Sequence, residues 1–187
     1  SYSITQFAET FYPAAVENIA FSGQVYGSPA WMDTYAIVYN REMLAQKAFT
    51  KPPTDWVEFK NLAKSLTEGE QYGFAAGTST NTEFSADMLL LLMLQNGVPL
   101  TNSEGLINFA SNPDSVTALE FLQSFREEDV WNNEPDNASA EFLKGNVAMI
   151  MVPSWRLREI LNYNQSLEIG LDIGVSQVPQ LVGSDQE

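Results

Sequence analysis

The sequence predicts an α/β fold, a three-layer sandwich built on a mostly parallel sheet. Two observations carry this. Short runs rich in β-branched and aromatic residues, Tyr35 to Tyr39, Tyr72 to Ala76 and Val147 to Val152, are separated by segments with helical spacing of apolar residues. Strands that alternate with such helices bury their sheet between helical layers.

The elements follow in order. Phe7, Phe11, Ala15 and Ile19 repeat every four residues, so about 5 to 19 suits an amphipathic helix. Val25 to Pro29 reads as a strand broken by Gly27, Ser28 and Pro29, and Tyr35 to Tyr39 as the next strand. Asn40 caps a short helix through Leu44. Thr54 caps another, with Asp55 in its first turn, where the helix dipole favours an anion. Trp56, Phe59, Leu62, Ala63 and Leu66 form its apolar stripe. Tyr72 to Ala76 is a strand, Gly77 to Thr82 a small polar loop, and Phe84 to Gln95 a strongly apolar helix. Asn112-Pro113 caps and opens a helix carrying Val116, Leu119, Leu122 and Phe125. Ala138 to Lys144 is a short helix stopped at Gly145, and Val147 to Val152 a buried strand. Ser154 caps a helix with Leu157, Ile160 and Leu161 on one face, and Ile169 to Val178 is mainly strand. The expected core includes Trp56, Leu62, Leu92, Leu119, Phe125 and Met149.

Composition narrows function. The chain has 187 residues, 44% of them apolar, enough for one domain with a real core. Its net charge of -15, with only nine scattered Lys and Arg, argues against nucleic acid and anionic membranes as partners. The absence of cysteine removes disulfides, thiolate metal sites and thiol nucleophiles. The absence of histidine removes the commonest general base, so a serine–histidine triad is impossible within this chain. Metal-ligand spacings and phosphate loops are also missing, and neither cofactor nor metal is expected. Ser1 to Ile19 has no basic n-region and does not read as a signal peptide; if the protein is exported, its signal is expected upstream of Ser1. Met88 to Leu94 is too short to span a bilayer.

The candidate site residues cluster at strand ends. Trp31 and Asp33 stand side by side at a strand junction. An indole covers the apolar face of a pyranose, and a carboxylate accepts paired hydroxyl hydrogen bonds. The alternative is a core Trp31 and a turn residue Asp33. Ligands of open α/β sheets bind on loops beyond the strands' carboxyl ends. Two further loops of that kind present Asn81, Glu83 and Phe84 after the Tyr72 strand, and Trp155 after the Val147 strand. Glu83 equally suits helix-start electrostatics, and Trp155 equally suits cover for the sheet edge. Arg156 and Arg158 reach either the cleft or an acidic neighbour. Trp131, in a polar loop, carries no assignment.

The order of segments resembles one family. Tyr26-Gly27-Ser28-Pro29, then Val38-Tyr39-Asn40, Pro52-Pro53-Thr54-Asp55-Trp56-Val57-Glu58-Phe59, Tyr72-Gly73-Phe74, and Phe142-Leu143-Lys144-Gly145-Asn146-Val147-Ala148-Met149 resemble, in order and spacing, the bacterial extracellular solute-binding proteins of the maltose-binding-like type. Pro153-Ser154-Trp155 falls where that family often places a ligand-facing aromatic. The resemblance implies residues 1–187 form one lobe of a two-lobe, type II periplasmic-binding-protein-like fold. Hinge-like segments fall at about 26–37 and 174–181, and the first lobe is absent. It implies a non-catalytic binder of a mono- or oligosaccharide that delivers its ligand to membrane permease subunits of an ABC importer. Its place would be extracellular, membrane-anchored on the outer face, or periplasmic. Trp31, Asp33, Glu83, Phe84 and Trp155 are the implied ligand contacts. A binder of a peptide, polyamine or cation, and a glycoside hydrolase fragment using two carboxylates, are the alternatives.

Overall fold

The computed structural model describes residues 4–17, 19–102 and 104–181. Its contacts group the chain into two compact units, Ser1–Thr34 and Tyr35–Glu187. The division falls inside the segment read as a hinge from the sequence.

The first unit holds helices α1 (Ile4–Ala8) and α2 (Pro13–Glu17) and a small hairpin, β1 (Ala20–Phe21) with β2 (Gln24–Val25). The single helix expected over 5–19 is therefore two. Pro13 lacks an N–H and its ring clashes with the carbonyl four residues back, so it can open a helix but not continue one. The strand expected from Val25 to Pro29 ends at Val25, where the hairpin partner runs out. Trp31 is not core in this unit: it is 84% exposed.

The second unit is a four-stranded sheet in the order β4-β5-β3-β6, where β3 is Tyr35–Asn40, β4 Tyr72–Phe74, β5 Val147–Pro153 and β6 Ile173–Ser176. Helices α3 (Arg41–Ala45), α4 (Trp56–Leu66), α5 (Ser85–Gln95), α6 (Pro113–Glu127), α7 (Ala138–Lys144) and α8 (Ser154–Ser166) connect the strands. Every residue of β5 is buried, because both sheet faces are covered. Met149 and Met151, with Ile37 and Tyr39, join the side chains of α4, α5 and α6 on one face. Ile150 and Val152, with Val38, join those of α7 and α8 on the other. The three layers and the α/β class are as the sequence predicts.

The sheet is mixed rather than mostly parallel. β4 runs parallel to β5, whereas β3 pairs antiparallel with both β5 and β6. Helix-linked strands need not become neighbours. β5 inserts between β3 and β4, and the parallel rule then governs only the β4–β5 pair, whose long connection carries three helices.

Local signals place most helix starts. Asn40 accepts from the backbone N–H of Glu42 and Met43, and Asn112 from that of Asp114. The α4 cap is Asp55, which accepts from Val57 and Glu58, one residue beyond the expected Thr54. Ser154 is the first residue inside α8 rather than its cap, and Leu161 on that helix is exposed. Gly73 shows how tightly α4 lies on the sheet. A Cβ there would stand 1.9 Å from the carbonyl oxygen of Ala63, so only glycine fits.

Leu119 is a correction: it is 38% exposed, and Val116 is exposed as well. A spacing of three residues falls short of a full turn by about 60°, so the row Val116, Leu119, Leu122, Phe125 winds around the helix. The face that packs inward is Ser115, Ala118, Leu122 and Phe125. The final strand is shorter than expected. Asn164 takes both the N–H and the C=O of Leu171, which leaves neither for a ladder before Ile173.

Candidate functional site

The parallel strands β4 and β5 end at the same edge of the sheet as β3 begins, since Tyr35 pairs with Pro153. Three aromatic rings meet there. Phe84 stands edge-on to Trp155 at 5.7 Å and to Tyr35 at 6.1 Å between centroids. Trp155 is 52% exposed, on the first turn of α8. Pro153, two residues earlier, ends β5, and Ser154 opens α8, so Trp155 stands where the strand gives way to the helix. Tyr35 carried no functional signal in the sequence, because its place opposite Pro153 depends on strand register.

Phe84 is held in an uncommon backbone conformation, φ 59°, immediately before α5. For a bulky residue this left-handed region costs about 1–3 kcal/mol, and it persists only where the surroundings enforce it. The surroundings are visible. The preceding residue, Glu83, accepts from Arg156 Nη2 at 2.9 Å through Oε1 and from the Ser139 hydroxyl through Oε2. Both carboxylate oxygens are thereby engaged within the protein. Arg156 also donates from Nη1 to Glu159 at 2.6 Å. Burial works against its charged form, but the Glu159 bond and the charge of Glu83 outweigh that and hold its pKa above the ordinary value. Arg156 thus reaches acidic neighbours, which the sequence left undecided.

The loop itself is clasped by Asn81. Its Nδ2 donates to the carbonyls of Asn132 and Pro135, each at 2.9 Å, while its Oδ1 accepts from Trp131 Nε1 at 3.0 Å and from the Thr78 hydroxyl. Trp131, unassigned from sequence, is fully buried against Tyr72 with its indole N–H inside this network. A Trp among Asn and Asp residues reads as exposed loop, and only the opposite loop reveals its partners. The result is a rigid ledge from Thr78 to Phe84.

Trp31 and Asp33 belong to the first unit. Asp33 Oδ1 accepts from the N–H of Thr34 at 2.9 Å, an ordinary turn bond. The structure thus brings together Glu83, Phe84 and Trp155 from the sequence-derived set, with Asn81 of the same loop and Arg156, and adds Tyr35. Among the described residues no cluster of three or more Asp, Glu, His or Cys assembles as a metal would need.

A family model for bacterial extracellular solute-binding proteins matches residues 2–184. The chain belongs to this family. The family resemblance carried by the sequence motifs is borne out. The chain is 26% identical to the maltodextrin-binding protein MdxE of Bacillus subtilis over 95% of its own length and 42% of that protein's. It superposes with a TM-score of 0.72 on the sugar-binding protein MalE of Xanthomonas citri, at 21% identity, over 92% of this chain and 44% of that one. It superposes with a TM-score of 0.69 on the ABC substrate-binding protein Lmo0181 of Listeria monocytogenes, solved with cycloalternan, at 17% identity over 97% and 48%. These two structures establish the shared fold. The chain spans less than half the length of each of these relatives.

Proposed function

We propose that this chain is the second lobe, with hinge segments, of a carbohydrate-binding component of an ABC importer. The carrying observation is the rim where half-exposed Trp155 meets Phe84 at the carboxyl ends of β4 and β5. A stacked pyranose needs an apolar ring face open to water, and this edge supplies one beside a fixed polar ledge. Maltodextrin, the ligand in the name of the B. subtilis relative, supports an α-glucan. In this reading two lobes close on the sugar as a hinged clamp, and the closed form docks on permease subunits outside the cell. The chain binds without catalysis. Trp31 and Asp33 enter as ligand contacts on sequence grounds, and Glu83 orients the ledge and offers its remaining lone pairs to hydroxyls.

The test is a fluorescence titration of the chain with malto-oligosaccharides to tens of millimolar, with Trp155→Ala as control. A clamp that binds at about 1 μM is worth about -8 kcal/mol, and half of that leaves a dissociation constant near 1 mM. Micromolar affinity would reject the half-clamp account. Binding of a peptide or polyamine with no response to sugars would overturn the carbohydrate reading.

A further inference from the structure

Beyond β6 the chain crosses the start of α4, and its backbone groups find partners there. The Gln180 N–H donates to the Thr54 carbonyl at 2.8 Å, and the Gln180 carbonyl accepts from the Trp56 N–H at 3.2 Å. Asp55 and Gln180 thereby form a parallel bridge. Pro179 has no N–H, and its carbonyl accepts from Gln95 Nε2 at 2.9 Å. The Val178 carbonyl accepts from Gln180 Nε2 at 3.1 Å. Val178 and Pro179 are buried, and Leu181 packs against the core that holds Trp56.

We infer that Val178–Gln180 is a strap, fastened to the second unit by Gln95, which turns with this unit as one body and does not bend. The inference sharpens the hinged-clamp reading above and rests on it for its use in closure. It narrows the hinge-like segment expected at about 174–181, whose first residues are already held in the β3–β6 ladder.

Gln95 is suited to the role because both ends of its amide are engaged. Oε1 accepts from Trp56 Nε1 at 2.8 Å while Nε2 holds Pro179. A flipped amide would set donor against donor and acceptor against acceptor, so one orientation is fixed. Trp56 is fully buried and packs edge-on against Phe59 and Phe121. The strap is therefore tied through a single amide to the centre of the core. It also completes the start of α4. Asp55 Oδ1 takes the N–H groups of Val57 and Glu58, and the strap takes that of Trp56. Lifting the strap would strand a helix-start donor and the Gln95 amide together.

The same helix joins the strap to the rim. Phe84 immediately precedes α5 and Gln95 is its last residue. Eleven helical residues separate rim from strap by about 16 Å. Met88, Leu92 and Met93 bury the helix between those ends. A closing movement that carries Phe84 and Trp155 therefore carries Val178–Gln180 with them, and the bend lies outside this segment.

Amide hydrogen exchange of the chain, followed by NMR with no sugar present, tests this. The Gln180 and Trp56 amides are expected to exchange within about tenfold of the slow ladder amides of β6. Gln95→Glu keeps an oxygen for the Trp56 indole and loses the donor to Pro179. It should speed Gln180 exchange at least about tenfold at pH 7 and leave the β3–β5 ladder amides unchanged. Gln95→Ala should do the same and also shift the Trp56 indole N–H signal. A Gln180 amide that exchanges like an unfolded peptide in the unsubstituted chain would make the segment a bend and overturn the strap. Unchanged Gln180 exchange in both variants, or equal speeding across β3 and β5, would overturn the anchoring role of Gln95. Any of these results leaves the carbohydrate reading standing, and a failed sugar titration leaves the strap standing.

Discussion

Two aromatic groups in the second unit use the same ring geometry and meet opposite fates. On one sheet face Trp56, Phe59, Phe74 and Phe125 pile edge-to-face or tilted at 4.8–6.4 Å, all fully buried. At the strand ends Tyr35, Phe84 and Trp155 make the same edge-on contacts at 5.7 and 6.1 Å, yet Trp155 stays half in water. Ring pairing therefore says nothing about purpose. Position does. The buried rings lie on helical stripes or inside a strand, where periodicity points them at the sheet. The rim rings lie where one element becomes another, and periodicity stops. An exposed aromatic at such a junction adds little to the fold, which is what leaves it open for the ligand role proposed above.

The largest expected difference follows directly. Trp56→Ala should destabilise the chain by about 3–5 kcal/mol, since it empties a fully buried ring site. It also strips the partner of Gln95 Oε1, at 2.8 Å, whose amide holds the Pro179 carbonyl. Trp155→Ala should change stability by about 0.5 kcal/mol or less. Urea unfolding of both variants measures this. Equal losses would break the comparison and make Trp155 a structural residue. Asn81→Ala should fall between them, at about 1–3 kcal/mol, because it leaves the buried Trp131 N–H with one partner at 3.2 Å and frees the ledge.

The contrast also explains what was legible. The stripe Trp56, Phe59, Leu62, Ala63, Leu66 was readable because one repeating spacing accounts for all five, and all five are buried. Caps at Asn40 and Asn112 were readable because a side chain bonds to its own neighbours in sequence. The row through Leu119 misled because it repeats by three without alternating three and four. At the rim, Trp155, Phe84 and Asn81 were legible as strand-end residues, but Tyr35, Trp131 and the clasp of Asn81 on Trp131 were not. Their roles depend on partners 50 or more residues away, and no local pattern carries that information. Sheet direction was hidden for the same reason.

The charge networks flanking the two regions sharpen the comparison at lower energy. Beside the rim, Glu83 and Arg156 pair with about a quarter of each side chain exposed. Glu83→Gln should cost about 1 kcal/mol in urea unfolding, and should also loosen Phe84, seen as greater exposure of the Trp155 indole to a fluorescence quencher. A stability loss with no change in quenching would show that Glu83 does not hold the ledge.

Beside the aromatic pile, Glu128 receives Lys60 and Lys64, and Lys60 lies 5.7 Å over the Phe121 ring. The two lysine bonds hold the Glu128 carboxyl below its ordinary 4.5. A carboxylate lowered on folding contributes stability that is complete above its unfolded value and is lost as pH falls through its folded value. The Glu128 side chain is a third exposed, so solvent screening limits this to about 0.5 kcal/mol. Glu128→Gln should therefore lower stability by a constant small amount from pH 7 to about pH 5, and the gap should close below 4.5. Added salt should shrink it at every pH. Urea midpoints of both proteins at pH 7, 5 and 3 measure it. A gap that widens on acidification would reverse the sign and show that the lysines do not stabilise the charged form. Glu83→Gln is the paired control, because its loss should come with a change at the rim and that of Glu128→Gln should leave Trp155 quenching untouched.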